Sequence, residues 1–148
     1  LSIYDNLALA ISPKKRVLNK DDKNYLATIL QMLQIDSLQQ KKPSELSDGQ
    51  KQKAGIGRCL SQKKSILLMD EPFTAIDGAT RRELMKKLAV FAKKHQATLL
   101  LVTHNLYEIK DLVDKVLILE RGKELYYGTT HHLQESSSAL HFFSELPQ

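Results

Sequence analysis

No run of apolar residues in this chain approaches the roughly 20 that a helix needs to cross a bilayer, and no signal-peptide pattern is present. The expectation is a soluble chain, on the cytosolic side of any membrane it serves. Cysteine is nearly absent. Cys59 stands alone, so no internal disulfide can form, which fits a reducing compartment. On the helical pattern around it, Cys59 reads as a small buried hydrophobe rather than a reactive thiol. Aromatic residues are missing from the basic stretches. The net charge of +5 comes from scattered groups such as Lys14-Lys15-Arg16, Lys41-Lys42, Lys63-Lys64, Lys86-Lys87 and Lys93-Lys94. Without interleaved aromatics these describe a solvated surface, and no nucleic-acid partner is expected. Internal repeats and low-complexity tracts are also lacking.

The 148 residues can bury a sizeable core as one domain, or can be the remainder of a larger one. Two features favour the remainder: the chain opens on Leu1 without an initiator methionine, and Leu1-Ser2-Ile3-Tyr4-Asp5-Asn6-Leu7 reads as the interior of an element. The first third is helical in pattern. Tyr25, Leu26, Ile29, Leu30 and Leu33 recur with a helix period after an acidic start at Asp21-Asp22, and Pro13 and Pro43 punctuate it. From Ser65 onward, short apolar runs (Ile66 to Met69, Leu99 to Val102, Val116 to Leu119) alternate with helix patterns. That βαβ rhythm predicts a parallel sheet. Between the first two runs, Leu84, Leu88 and Phe91 line one face of a helix whose other face carries Arg81, Arg82, Lys86 and Lys87. Asn105 suits the cap of a helix carrying Leu106, Ile109 and Leu112. Arg121-Gly122-Lys123 reads as a hairpin turn, with Glu124 to Gly128 as its second strand. Ser136-Ser137-Ser138 reads as a loop before an amphipathic turn at Leu140 to Phe143.

Chemistry-bearing residues fall where such a sheet places them. In parallel α/β sheets, ligands lie at the carboxyl ends of strands. Asp70 and Glu71 end the first run, and because successive strand residues point differently, Asp70 can serve a magnesium ion through water while Glu71 serves a nucleophilic water. Pro72 then forces the chain out of the strand. His104 follows the second run at the same edge, where an imidazole can bond a phosphate or hold Glu71 and water in place. Leu46-Ser47-Asp48-Gly49-Gln50 precedes a helical stretch; small residues with open N–H groups at a helix start form a phosphate site. Each of these alone also has a plain structural reading: strand end, strand-following histidine, helix cap. Asp77, in Phe73-Thr74-Ala75-Ile76-Asp77-Gly78, alone reads as a helix cap. The G-x-x-x-x-G-K-[ST] loop that would wrap a triphosphate occurs nowhere in the sequence.

Taken together, Leu46 to Gln50, then Ile66 to Glu71, Thr74 to Asp77 and His104 resemble, in order and spacing, the nucleotide-binding cassette of ABC transporters. The resemblance implies an α/β fold of the P-loop NTPase class. Its parallel-sheet core is RecA-like and incomplete, and it carries an α-helical subdomain. Residues 1–60 would be that subdomain, ending in the signature motif and its helix, and residues 61–148 a portion of the core, with the upstream Walker A lobe absent. It further implies Asp70 as the Walker B aspartate and metal ligand, Glu71 as the catalytic glutamate, His104 as the switch histidine and Asp77 as the D-loop aspartate. Ser47, Gly49 and Gln50 would belong to the signature that closes over ATP held by a second cassette. The implied cofactors are ATP and Mg2+. The implied partners are that second cassette, identical or not, and transmembrane permease subunits, at the cytoplasmic face of the membrane.

Three positions depart from the family pattern. Asp48 stands where a glycine is usual and sets a carboxylate near a triphosphate, Lys53 replaces an arginine, and Ile76 replaces a leucine. No acid and no histidine is lost, so the parent protein reads as an ATPase powering solute transport, while the chain by itself reads as inactive. An importer-like subunit fits best, because Lys41 to Leu46 runs directly into the signature. Two alternatives differ from it. One is a non-catalytic module that binds a partner cassette. The other is the signature lobe of a DNA-repair or chromosome ATPase, which requires long heptads before the signature, where this sequence has only short helices.

Overall fold

The computed structural model of the chain describes residues 1–13, 17–104 and 110–133. By contacts, it forms two compact units, Leu1–His104 and Asn105–Gln148. The helix at Asp48–Ser61 packs against both the helices before it and the strand after it.

The first unit opens with helix α1 (Ile3–Ile11). Ser2 caps it: the Ser2 hydroxyl accepts the Asp5 N–H at 3.1 Å and the Asp5 carboxylate accepts the Ser2 N–H at 3.0 Å. Leu1 to Leu7 is therefore a helix start, not the interior of an element. Its small polar cap looks unremarkable in sequence. Helix α2 (Lys20–Met32) is capped by Asn19 and buries Leu26, Ile29 and Leu30, as its period predicts. Helix α3 (Asp48–Ser61) buries Ile56, Gly57 and Leu60. Where α3 crosses α1 and the end of α2, a methyl group on Gly57 would lie 3.0 Å from Leu7 and 3.1 Å from Leu33, so hydrogen is what allows the close approach.

Strand β1 (Ile66–Asp70), helix α4 (Gly78–Lys94) and strand β2 (Thr98–Val102) form the βαβ unit. β1 and β2 pair in parallel, Leu67 opposite Leu99 and Asp70 opposite Val102. Helix α4 packs on β2 and buries Leu84, Met85, Leu88 and Phe91. The sheet is apolar on both faces and, among the described residues, covered on one: Leu67 and Met69 are buried, whereas Ile66, Leu68, Leu100 and Val102 are all more than half exposed.

The third apolar run does not join this parallel pair among the described residues. It is strand β3 (Lys115–Glu120), antiparallel to β4 (Lys123–Thr129). The hairpin was legible in its turn: Arg121 and Gly122 both have positive φ (48° and 76°), the conformation a two-residue hairpin loop requires. A β-bulge sits at Ile118/Leu119, and Val116, Ile118 and Leu133 form a small core with Val113, Leu125 and Tyr126. The Asn105 cap, Leu106 and Ile109, the loop at Ser136 to Ser138, the turn at Leu140 to Phe143 and the Lys14-Lys15-Arg16 cluster lie outside the described residues. Among those described, no helix is long and apolar enough to cross a membrane.

Gly55 contrasts with Gly57 on the same helix. It is exposed, and a methyl group there would meet nothing within 4 Å. Gly55→Ala should therefore stabilise the fold by ~0.5–1 kcal/mol through helix propensity alone. A lowered melting temperature would contradict this.

Candidate functional site

The sharpest geometry lies where β1 and β2 end. Asp70 closes β1 with its side chain exposed, and Glu71 turns the chain at φ 43°, a left-handed conformation unfavourable for a residue with a Cβ. Its N–H donates to the Val102 carbonyl at 2.9 Å, which ties the turn to the end of β2. His104, two residues beyond β2, grips the Glu71 carboxylate twice. The His104 N–H donates to Oε1 at 3.0 Å, and ring Nδ1 lies 2.7 Å from the same oxygen. An ionised carboxylate only accepts, so Nδ1 carries the proton. That fixes the ring and points Nε2 outward, as an acceptor when the ring is neutral and a second donor when it is protonated. With Oε1 taken, Oε2 remains to orient a water and accept its proton. The Glu71 side chain is one-third exposed, so the pair is within reach of solvent and ligand.

The start of α3 is the second element. Ser47 is the N-cap: its hydroxyl accepts the Gln50 N–H at 3.3 Å, and the Gln50 side-chain carbonyl accepts the Ser47 N–H at 3.0 Å. This reciprocal cap leaves the N–H groups of Asp48 and Gly49 as those the first turn can offer an anion. Asp48 does not stand as an isolated charge, since Lys51 Nζ lies 2.9 Å from its carboxylate. Gly49 meets a steric demand as well: a Cβ there would sit 2.8 Å from the Ala75 carbonyl oxygen. Farther along, Gln52 reaches the turn after Glu71, bonding Thr74 and Ala75 at 2.6 and 2.8 Å.

Asp77 caps α4, accepting the Thr80 N–H at 3.0 Å. Hydrogen bonds from the Thr80 backbone and hydroxyl, with the Lys53 charge, hold its carboxyl below the usual carboxylate range. Burial pushes the Cys59 thiol up, away from the thiolate form.

Sequence and fold comparisons converge on one family. The profile described as "ABC transporter" matches residues 2–74. The chain is 37% identical over 133 residues to the thiamine import ATP-binding protein ThiQ of Aliivibrio fischeri, a match covering 90% of the chain and 56% of that relative. The chain belongs to the ABC transporter family. A ThiQ from Salmonella paratyphi A is 32% identical over 143 residues, covering 95% of the chain and 60% of the relative. The chain thus spans a little over half the length of the curated relatives it matches. Among solved structures, the ADP conformation of MJ1267, an ATP-binding cassette of an ABC transporter, superimposes with a TM-score of 0.75 at 19% identity. That match covers 99% of this chain and 63% of the other. At that identity the likeness establishes the fold, an α/β ATP-binding cassette of the P-loop NTPase class.

Within this partial cassette, the structure brings Glu71 and His104 into direct contact and joins α3 to the turn that follows Glu71. Asp70 and Asp77 stand at opposite ends of that turn, one closing β1 and one starting α4. Ser47 and Gln50 are joined to each other. Sequence reading missed Gln52 and Thr74. A glutamine on a polar helical stretch carries no mark of a partner 22 residues away.

Proposed function

We propose that the whole protein containing this chain is the ATP-hydrolysing subunit of a solute importer. In it, Glu71 is the general base that takes the proton of the attacking water, and His104 orients it. The observation that supports this most directly is the double grip of His104 on one carboxylate oxygen of Glu71 at the ends of two parallel strands. The first turn of α3 acts separately. Ser47, through its hydroxyl, and Gly49, through its N–H, face the nucleotide of a second cassette, with Gln50 bracing Ser47. The Asp48–Lys51 pair limits the repulsion that a carboxylate would exert there. The D-loop aspartate, Asp77, sets the start of α4 beside that interface.

Among the described residues, no cluster of three or more candidate ligands could hold a metal unaided. Magnesium does not need one, since it binds through one or two carboxylates plus waters and nucleotide phosphates. The exposed Asp70 fits that role, and the ion would neutralise phosphate charge. Permease subunits at the cytoplasmic face of the membrane complete the assembly. Thiamine is the first solute to test, because the relatives are named for its import.

The chain alone lacks the loop that supplies most contacts to a triphosphate. Residues 1–148 should release no phosphate from ATP, whereas the whole protein should. Turnover by the isolated chain that Glu71→Gln abolishes would overturn this division of labour.

A further inference from the structure

We propose that Gln52 is a positioning residue for Glu71, tying its backbone carbonyl to the first turns of α3; the proposal rests on the hydrolytic role of Glu71. Gln52 lies half-buried on α3. Its carboxamide works at both ends of one turn. Oε1 accepts the Ala75 N–H at 2.8 Å, while Nε2 donates to the Thr74 hydroxyl at 2.6 Å and reaches the Glu71 carbonyl at 3.5 Å. The Thr74 hydroxyl lies 3.4 Å from that same carbonyl and can donate to it. A side chain needs both a donor and an acceptor to do this.

The backbone of Glu71 shows why such a bridge matters. A non-glycine residue at φ 43° persists only where its surroundings over-determine it. On the amino side the restraint is the bond to Val102. On the carbonyl side it is Gln52 with Thr74. A second observation places α3 tightly on the same turn: the contact of Gly49 with Ala75, close enough to exclude a Cβ. Since Ser47, Gly49 and Gln52 share one helix, a displacement of α3 on closing over a partner's nucleotide is carried to the Glu71 carbonyl. Gln52 thereby links the half-site this cassette lends to the half-site it uses.

The test uses the whole protein, with ATP turnover expressed per nucleotide bound, so that misfolded molecules do not count. Gln52→Met keeps length and removes every bond. Its kcat should fall by about 10- to 100-fold, the order expected when a reacting group is misplaced by roughly an ångström, with KM for ATP unchanged. Gln52→Glu still accepts from Ala75 but has no N–H, and it draws the one Thr74 hydroxyl proton away from the Glu71 carbonyl, so its kcat should fall as that of Gln52→Met does. Thr74→Val, at an exposed position, removes the shared hydroxyl and should lower kcat in the same direction. Unchanged kcat per bound nucleotide in Gln52→Met, or in Thr74→Val should the first not fold, overturns the proposal, as does an undiminished kcat in Gln52→Glu. If Glu71→Gln turns over normally, the hydrolytic reading fails; if Glu71→Gln is dead and Gln52→Met is not, only the positioning role of Gln52 fails.

Discussion

Replacing Glu71 with glutamine should lower ATP turnover of the whole protein by about 10²- to 10⁴-fold, the usual contribution of a positioned general base, while ATP binding is retained. The substitution is nearly isosteric. Its amide oxygen can still accept the two bonds that His104 makes to Oε1, at 3.0 and 2.7 Å, so the turn and the ring keep their places. What is lost is the second oxygen. Where Oε2 could take a proton from water, an NH₂ group can only donate. Steady-state phosphate release and equilibrium ATP binding, measured on the same preparation, separate the two effects. Full turnover in the variant would remove Glu71 from the mechanism, and lost binding would show that its role is structural.

A second large effect is expected in the buried core. Gly57→Val should destabilise the fold by about 1–3 kcal/mol, the range for overpacking a filled core. A Cβ at this position would already stand 3.0 Å from Leu7, 3.1 Å from Leu33 and 3.5 Å from Ile29, before the two further methyl groups of valine are placed. These neighbours come from two helices and the residue capping the second, all of them buried, so none can swing into solvent. The helices must separate, and α3 carries Ser47 and Gly49 with it. A fall in the urea midpoint, set against the rise expected for Gly55→Ala, checks this; equal effects of the two substitutions would mean that α3 is not packed as described.

What could be read in advance follows from which forces are local. The faces of α2 and α4 were visible because a helix repeats its contacts every three or four residues, and Leu26, Ile29 and Leu30, or Leu84 and Leu88, mark that repeat. The two parallel strands were visible as short apolar runs, and the hairpin as Arg121-Gly122 between β3 and β4. Contacts between distant segments left weaker traces. Nothing around Glu71 announces a left-handed backbone, since glycine, the usual marker, is not there; Val102 and Gln52 impose the conformation from far along the chain. Pro72 announced only that the strand ends. The third apolar run looks like the first two, and its antiparallel pairing with β4 is decided by the turn that follows it rather than by its own residues. Gly49 was legible as a small residue at a helix start but not as one pressed against Ala75.

The half-covered sheet carries a consequence for how such a polypeptide fares in a cell. Ile66, Leu68, Leu100 and Val102 form an exposed apolar panel beside strand edges that are unpaired among the described residues. Such a panel attracts others like it, as well as the chaperones and proteases that patrol for exposed core. Wherever this panel is not covered promptly during synthesis, the competition is between burial and disposal, and the amount of working cassette is then governed by how quickly that panel finds its cover.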